Sequence, residues 1–270
     1  MSALLLYGVV LPPLDAGPPL PSGVAGAALR LITQRPSAQP STQGTSPAPR
    51  EPSEPQPALL CAALVSPLLD RQLLKQPPLV EVLAFQRAIS AWHQHGAILP
   101  ARFGCLARDE DALRSHLRAR QVDYLEALQR GAGCVEMGVR VTLPAPPPSI
   151  SAPDRTSGAG FLRARQQHYA RLASVDEQAA QIAQRLTGAL APHARQALTL
   201  PSKREEQVLA VRVAFLVASA ELPAFRAALA ALAPEPAGRR TLLGPWPPFS
   251  FTPAASPDGA EEAALGAAPP

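Results

Sequence analysis

Val208-Leu209-Ala210-Val211-Arg212-Val213-Ala214-Phe215-Leu216-Val217 is a nearly continuous apolar run rich in β-branched residues. Such a run suits a strand at a central position in a sheet. Working outward, Cys134-Val135-Glu136-Met137-Gly138-Val139-Arg140-Val141-Thr142-Leu143 alternates from Val135 onward and predicts a second strand. Between the two, Phe161 to Leu190 carries the longest amphipathic stripe of the chain: Leu162, Tyr169, Leu172, Val175, Ala179, Ile182, Leu186 and Leu190. At ~1.5 Å per residue such a helix covers a whole sheet face. Ser174-Val175-Asp176-Glu177 resembles a capping box and marks a place where that helix can break. Ala194 to Leu200 predicts a moderate strand, Ala220 to Ala233 a short Ala-rich helix, and Arg240 to Leu243 a last extended piece. The order from residue 134 is β-α-β-β-α-β, the split-βαβ, ferredoxin-like pattern with two helices on one face of an antiparallel sheet.

The preceding part reads as a separate, small α+β unit. Leu4 to Val10, Leu29 to Thr33 and Leu59 to Val65 predict three strands, the last two forming a hairpin with a long connection. Leu79 to His95 shows helical spacing of Leu79, Val82, Leu83, Ile89 and Trp92, with Gly96 placed to cap it. Asp109-Glu110-Asp111 favours a helix N-terminus, and Leu113, Leu117, Val122, Leu125 and Leu128 carry that helical region to Gly131 and Gly133. The expected organisation is an N-terminal α+β domain over 1–133 with a Pro/Ser-rich insertion at 34–57. A ferredoxin-like domain follows over 134–253 with a linker at 144–160, and a tail over 254–270. The insertion lacks the apolar periodicity that would bury a core and is expected to be a flexible loop, and the tail is expected to be disordered.

Gly244-Pro245-Trp246-Pro247-Pro248-Phe249-Ser250-Phe251 gathers three of the 33 prolines, one of two tryptophans and two of seven phenylalanines. Its prolines remove backbone donors, so neither a helix nor a central strand crosses it. The expectation is a stiff, polyproline-like ribbon running into a short edge strand, with Phe249 and Phe251 on one face and Ser250 on the other. The aromatics then serve either to cap a core or to hold an anchor ready for a partner.

Composition excludes several classes. The net charge is +4 and the charges from Arg102 to Arg130 alternate in sign, which describes a solvated helix surface and not a phosphate tracker. Nucleic acid is therefore not an expected partner. Three cysteines, Cys61, Cys105 and Cys134, have no paired spacing and fit small buried thiols in a reducing cytoplasm. The apolar N-terminus precedes the first basic residue, Arg30, and reads as a strand, not a leader; no run reaches the length of a membrane span. His93 and His95 lie about 200° apart on a helix, so with Cys105 they make a helix-end polar patch rather than a metal site. No nucleophile elbow, P-loop, dinucleotide fingerprint or Cys-x-x-Cys is present, and no cofactor is expected. Glu136, mid-strand among apolar neighbours, needs a partner such as an arginine or backbone donors; a structural ion pair is the expectation. In Arg102-Phe103-Gly104, Gly104 supplies a positive φ and Phe103 a core plug or a contact.

Several segments resemble, in order, the gas vesicle protein L/F family. They are Leu6-Tyr7-Gly8-Val9, Ala63-Leu64-Val65-Ser66, Ile98-Leu99-Pro100-Ala101-Arg102-Phe103-Gly104, Gly133 to Val141, Ala214-Phe215-Leu216-Val217 and the Gly244–Phe251 ribbon. The usual family form carries Tyr where this chain has Phe249, and the 34–57 tract reads as an insertion. The resemblance implies two α+β domains, the second a modified ferredoxin-like one. It implies a non-enzymatic accessory or minor structural protein of gas vesicle formation, made in the cytoplasm. Its implied partners are the hydrophobic shell subunit and other accessory proteins. On that reading the partner-binding residues are Trp246, Phe249, Phe251 and Phe103. The rival readings are a small-molecule-binding or enzymatic ferredoxin-like protein, and a scaffold that polymerises through its edge strand.

Overall fold

The computed structural model describes residues 3–12, 19–34, 60–144, 158–205, 208–235 and 238–253. Among them it is a mixed α+β structure with two antiparallel sheets and six α-helices, and it divides into two compact units. One is built on residues 1–132 and the stretch from Phe251, the other on 133–250. The expected insertion 34–57, apart from Gln34, and tail 254–270 lie outside the described residues.

In the first unit the strands are β1 (Ala3–Val10), β2 (Arg30–Thr33), β3 (Ala62–Leu68), β4 (Ile98–Pro100) and β5 (Leu106–Ala107). They form a sheet in the order β2-β3-β1-β4, with β5 also on β1, and every pairing is antiparallel. The expected β2–β3 pairing is present, Arg30 opposite Val65 through Thr33 opposite Ala62. Each residue of β1 is buried, so this strand is the spine of the unit. Its Gly8 sits where a Cβ would come within 2.6 Å of the Leu99 carbonyl oxygen, so only glycine allows the chain to pass there.

The helices of this unit are α1 (Gln72–Lys75), α2 (Leu79–His93), α3 (Glu110–Ala119) and α4 (Gln121–Gly131). Helix α2 buries Ile89 and Trp92 as its spacing predicts, but its inward stripe is set differently toward the N-terminus. It buries Ala84, Phe85, Ala88, Ile89 and Trp92, while Leu79 and Leu83 are exposed. The region expected as one helix from Asp109 is two, separated at Arg120 (φ −117°, ψ 18°). Asp109 caps α3 by accepting from the Ala112 amide at 2.8 Å, and acidic Glu110 and Asp111 follow in the first turn. Leu113, Leu117, Tyr124 and Leu128 then bury the inner faces of both helices against the sheet.

The second unit contains β6 (Cys134–Pro144), α5 (Gly158–Leu190), β7 (Gln196–Glu205), β8 (Val208–Ala218), α6 (Leu222–Ala231) and β9 (Arg239–Trp246). Its sheet runs β7-β8-β6-β9, antiparallel throughout, so β8 is internal as its apolar run predicts. Helix α5 crosses Ser174 without a break. Met137, Val139, Val141 and Leu143 of β6, with alternate residues of β8, meet Ile182 and Leu186 of α5 and Phe225 and Leu229 of α6. Phe215 and Phe225 join strand to helix edge-to-face at 5.3 Å. Both helices therefore lie on one face of the sheet. No helix among the described residues is long and apolar enough to cross a membrane.

A buried hydroxyl ties the first unit together. Tyr7, fully buried in β1, accepts from the Val24 amide at 2.8 Å, lies 3.2 Å from Ser66 Oγ and stacks on Phe85 at 4.7 Å. Replacing it with Phe keeps the ring and strands the Val24 donor and the Ser66 hydroxyl. Tyr7→Phe is therefore expected to cost about 1–3 kcal/mol in urea unfolding. A variant as stable as the wild type would show that these groups find other partners.

Candidate functional site

The proline-aromatic ribbon begins inside the sheet, not after it. β9 is an edge strand hydrogen-bonded to β6 alone, and it continues through the ribbon as far as Trp246. Leu243 stands opposite Gly138 and Trp246 opposite Glu136, with an irregularity between them. That irregularity is Gly244-Pro245, joined by a cis peptide, with Gly244 at φ +107°. A Cβ on Gly244 would approach the Glu136 carbonyl oxygen to 2.6 Å, so the position requires glycine on both counts. Pro247 and Pro248 are buried.

Phe249 and Phe251 do not alternate along a strand as expected. Phe249–Phe251 is a short 3-10 turn, preceded by a tight bend in which the Phe249 amide donates to the Pro247 carbonyl at 2.8 Å. The turn swings Ser250 back over the sheet, where its amide reaches Glu136 Oε2 and its hydroxyl Glu136 Oε1, each at 2.7 Å. This overturns the ion pair expected for Glu136. The carboxylate is satisfied by the second kind of partner, a backbone donor, together with a hydroxyl from a residue 114 positions away. Burial raises the Glu136 pKa above the usual carboxylate range, and the two bonds from Ser250 oppose that shift.

Of the four residues proposed to bind a partner, Trp246 is 46% exposed at the end of β9. Phe249 and Phe251 are half-buried in the 3-10 turn. Phe103 belongs to the first unit, half-buried in the turn before Gly104, whose φ of +92° is the positive value expected. Its ring meets Phe85 edge-to-face at 5.2 Å, so it extends the Tyr7–Phe85 stack. Sequence reading missed the exposed apolar group Leu79, Val80 and Leu83 on α2, having assigned two of its members to the core. The available signal was the Ala84-Phe85-Ala88-Ile89-Trp92 spacing, which describes a better inward stripe.

His95 Nδ1 is 2.8 Å from the Ala91 carbonyl, and His93 is held below the usual histidine range by burial. Cys61 and Cys134 are buried, with thiols pushed up by burial, and Cys105 is half-buried. Among the described residues no group of three or more His, Cys, Asp or Glu is placed to hold a metal ion.

Against known proteins, the profile of the family described as "Gas vesicle synthesis protein GvpL/GvpF" matches residues 3–253. Two solved structures share the fold. The gas vesicle protein GvpF from Anabaena sp. PCC7120 is 16% identical, with a TM-score of 0.57 over 94% of this chain and 98% of its own. GvpF from Microcystis aeruginosa is 12% identical, with a TM-score of 0.61 over 93% of this chain and 99% of its own. No curated relative matches the sequence.

The raised Glu136 pKa has a definite sign for stability. The folded chain holds this proton more tightly than the unfolded one. The contribution is thus fully present below the unfolded carboxylate pKa and is lost as pH rises through the folded value. Glu136→Gln cannot titrate, so its stability relative to wild type is expected to improve as pH rises from the unfolded carboxylate pKa through the folded value, and to stay level on either side of that window in urea titrations. A gap that moves the other way would mean that the Ser250 bonds outweigh burial.

Proposed function

The chain belongs to the gas vesicle synthesis protein GvpL/GvpF family, and from that premise we propose that it is a non-enzymatic accessory or minor structural protein of gas vesicle formation. In this reading it is made in the cytoplasm, associates with the gas vesicle, and binds the hydrophobic shell subunit and other accessory proteins during assembly. The family match across residues 3–253 is the observation that carries it. Physical logic supports it. A shell built from a very apolar small subunit needs helpers that shield its surface and deliver it to a growing nucleus.

The second unit is, in this reading, a modified ferredoxin-like domain. The support is its element order β6-α5-β7-β8-α6-β9 and its strand order, in which the fourth strand lies beside the first and the third separates the first from the second. Its partner-binding anchor is Trp246, flanked by the constrained Gly244-Pro245 and the buried Pro247-Pro248. An aromatic ring fixed before binding loses little freedom on contact, which is the usual condition for an energetic hot spot. Phe249 and Phe251 are half-buried and contribute at the margin of such contacts, and Phe103, half-buried in the first unit, is a contact considered by itself.

Co-expression with the shell subunit followed by affinity capture tests this. Wild-type chain is expected to capture the subunit, and Trp246→Ala, with an unchanged circular dichroism spectrum, to capture about tenfold less or worse. Absence of capture by wild type would overturn the adaptor role. Equal capture by both would remove Trp246 from the interface.

A further inference from the structure

The face of the second sheet that carries no helix is organised in rows. Leu198, Ala214, Gly138 and Leu243 stand side by side across all four strands. Its outer members Leu198 and Leu243 are exposed, while Ala214 at the centre is buried between larger neighbours. Two residues further along each central strand the row becomes Leu200, Arg212, Arg140 and Thr241. The next row has Lys203 and Arg239 at its ends. The face is apolar over one part and basic over the next.

Arg140 and Arg212 are direct cross-strand partners on neighbouring strands. At this position the side chains start roughly 5 Å apart, and like charges so placed repel. Nothing among the described residues of the unit relieves the repulsion. Among the described residues no carboxylate forms an ion pair with either arginine, and the Nε of each is buried without a hydrogen-bond partner. Arg212 spends one terminal nitrogen on the Pro201 carbonyl at 3.0 Å. Glu136, four residues from Arg140 on the same face, is occupied by Ser250. Two adjacent guanidinium groups without a carboxylate partner among the described residues make a site shaped for a carboxylate, which accepts from two arginines at once.

We propose that this face docks a partner helix presenting apolar side chains and, one turn away, a carboxylate clamped between Arg140 and Arg212. The row spacing of roughly 6.7 Å is close to one helical turn of about 5.4 Å, so residues four apart on the partner meet the apolar and the basic rows in succession. The leucines beside the arginines favour a protein segment over a nucleic acid, whose backbone offers charge without apolar contact. The proposal rests on reading the chain as a binding protein, and it identifies the chemistry of one bound segment.

Trp246 makes the test direct, since it is 46% exposed opposite Glu136, whereas the other tryptophan, Trp92, is 3% exposed in the first unit. The full chain would be titrated with a synthetic helical peptide bearing leucines and glutamates four residues apart, and with the same peptide carrying glutamine for glutamate. The glutamate peptide is expected to shift Trp246 emission saturably, with affinity at least about tenfold above that of the glutamine peptide. Arg140→Gln/Arg212→Gln is expected to erase that preference while melting at or above the wild-type temperature, because the repulsion is gone.

Equal binding of the two peptides, or binding of neither at millimolar concentration, would overturn the proposal. So would tighter binding of a single-stranded oligonucleotide of equal charge, or a clear fall in melting temperature of the double variant, which would make the arginines structural. The peptide comparison uses wild-type chain and stands even if the variant fails to fold. Capture of the shell subunit is a separate readout: its failure removes the adaptor role, whereas equal peptide binding removes only this docking surface.

Discussion

Eleven consecutive cross-strand pairs between β6 and β8, from Cys134 opposite Ala218 to Pro144 opposite Val208, set the frame for the second unit. Side chains alternate along a strand, so a slip of one residue would exchange its two faces. In the observed register the valines, Met137 and Phe215 meet α5 and α6, and the removal of that apolar surface from water holds the layers together. The same register sends Glu136, Gly138, Arg140 and Arg212 to the opposite face. Core and helix-free face are thus consequences of one choice. A change that disturbed β6 would reach both.

The end of that frame is closed by the C-terminal ribbon. Glu136 is costly to bury as a charge, and the Ser250 amide and hydroxyl are what make its position tolerable. In return the carboxylate gives the 3-10 turn at 249–251 a fixed landing point, and the backbone at Gly244 comes close enough to β6 to exclude any side chain there. Trp246 lies between these two constraints. Its half-exposure sits on a stretch of chain with little remaining freedom.

Sequence reading served best where the local pattern and the tertiary demand coincide. β8 and β6 are legible because a β-branched run and a clean alternation both ask for a buried sheet, and Gly104 because a turn there needs a positive φ. It misled where two local patterns compete. Phe249 and Phe251 sit two apart, which mimics strand alternation, yet the preceding prolines and the pull of Glu136 wind them into a 3-10 turn. On α2, the leucines near the N-terminus looked inward only because leucine weighs more than alanine in such a reading. The capping pattern at Ser174 belongs to a helix that simply continues. The Glu136–Ser250 bond was invisible for another reason: its partners are 114 residues apart, and nothing near either names the other. The ribbon itself was conspicuous in composition, while the basic row became visible only once β6 and β8 were placed side by side.

The second sheet also has two ends across its width, and each is guarded. On β9 the first residues are Arg239 and Arg240, and Pro245 withholds an amide near the last. On β7 the register shifts between Leu200 and Lys203, across Pro201. Prolines, charges and irregularities of this kind discourage another strand from adding to an open rim. A sheet guarded at both rims is kept from extending itself with strands borrowed from its surroundings. What such a sheet leaves open to other molecules is its broad face and not its margins.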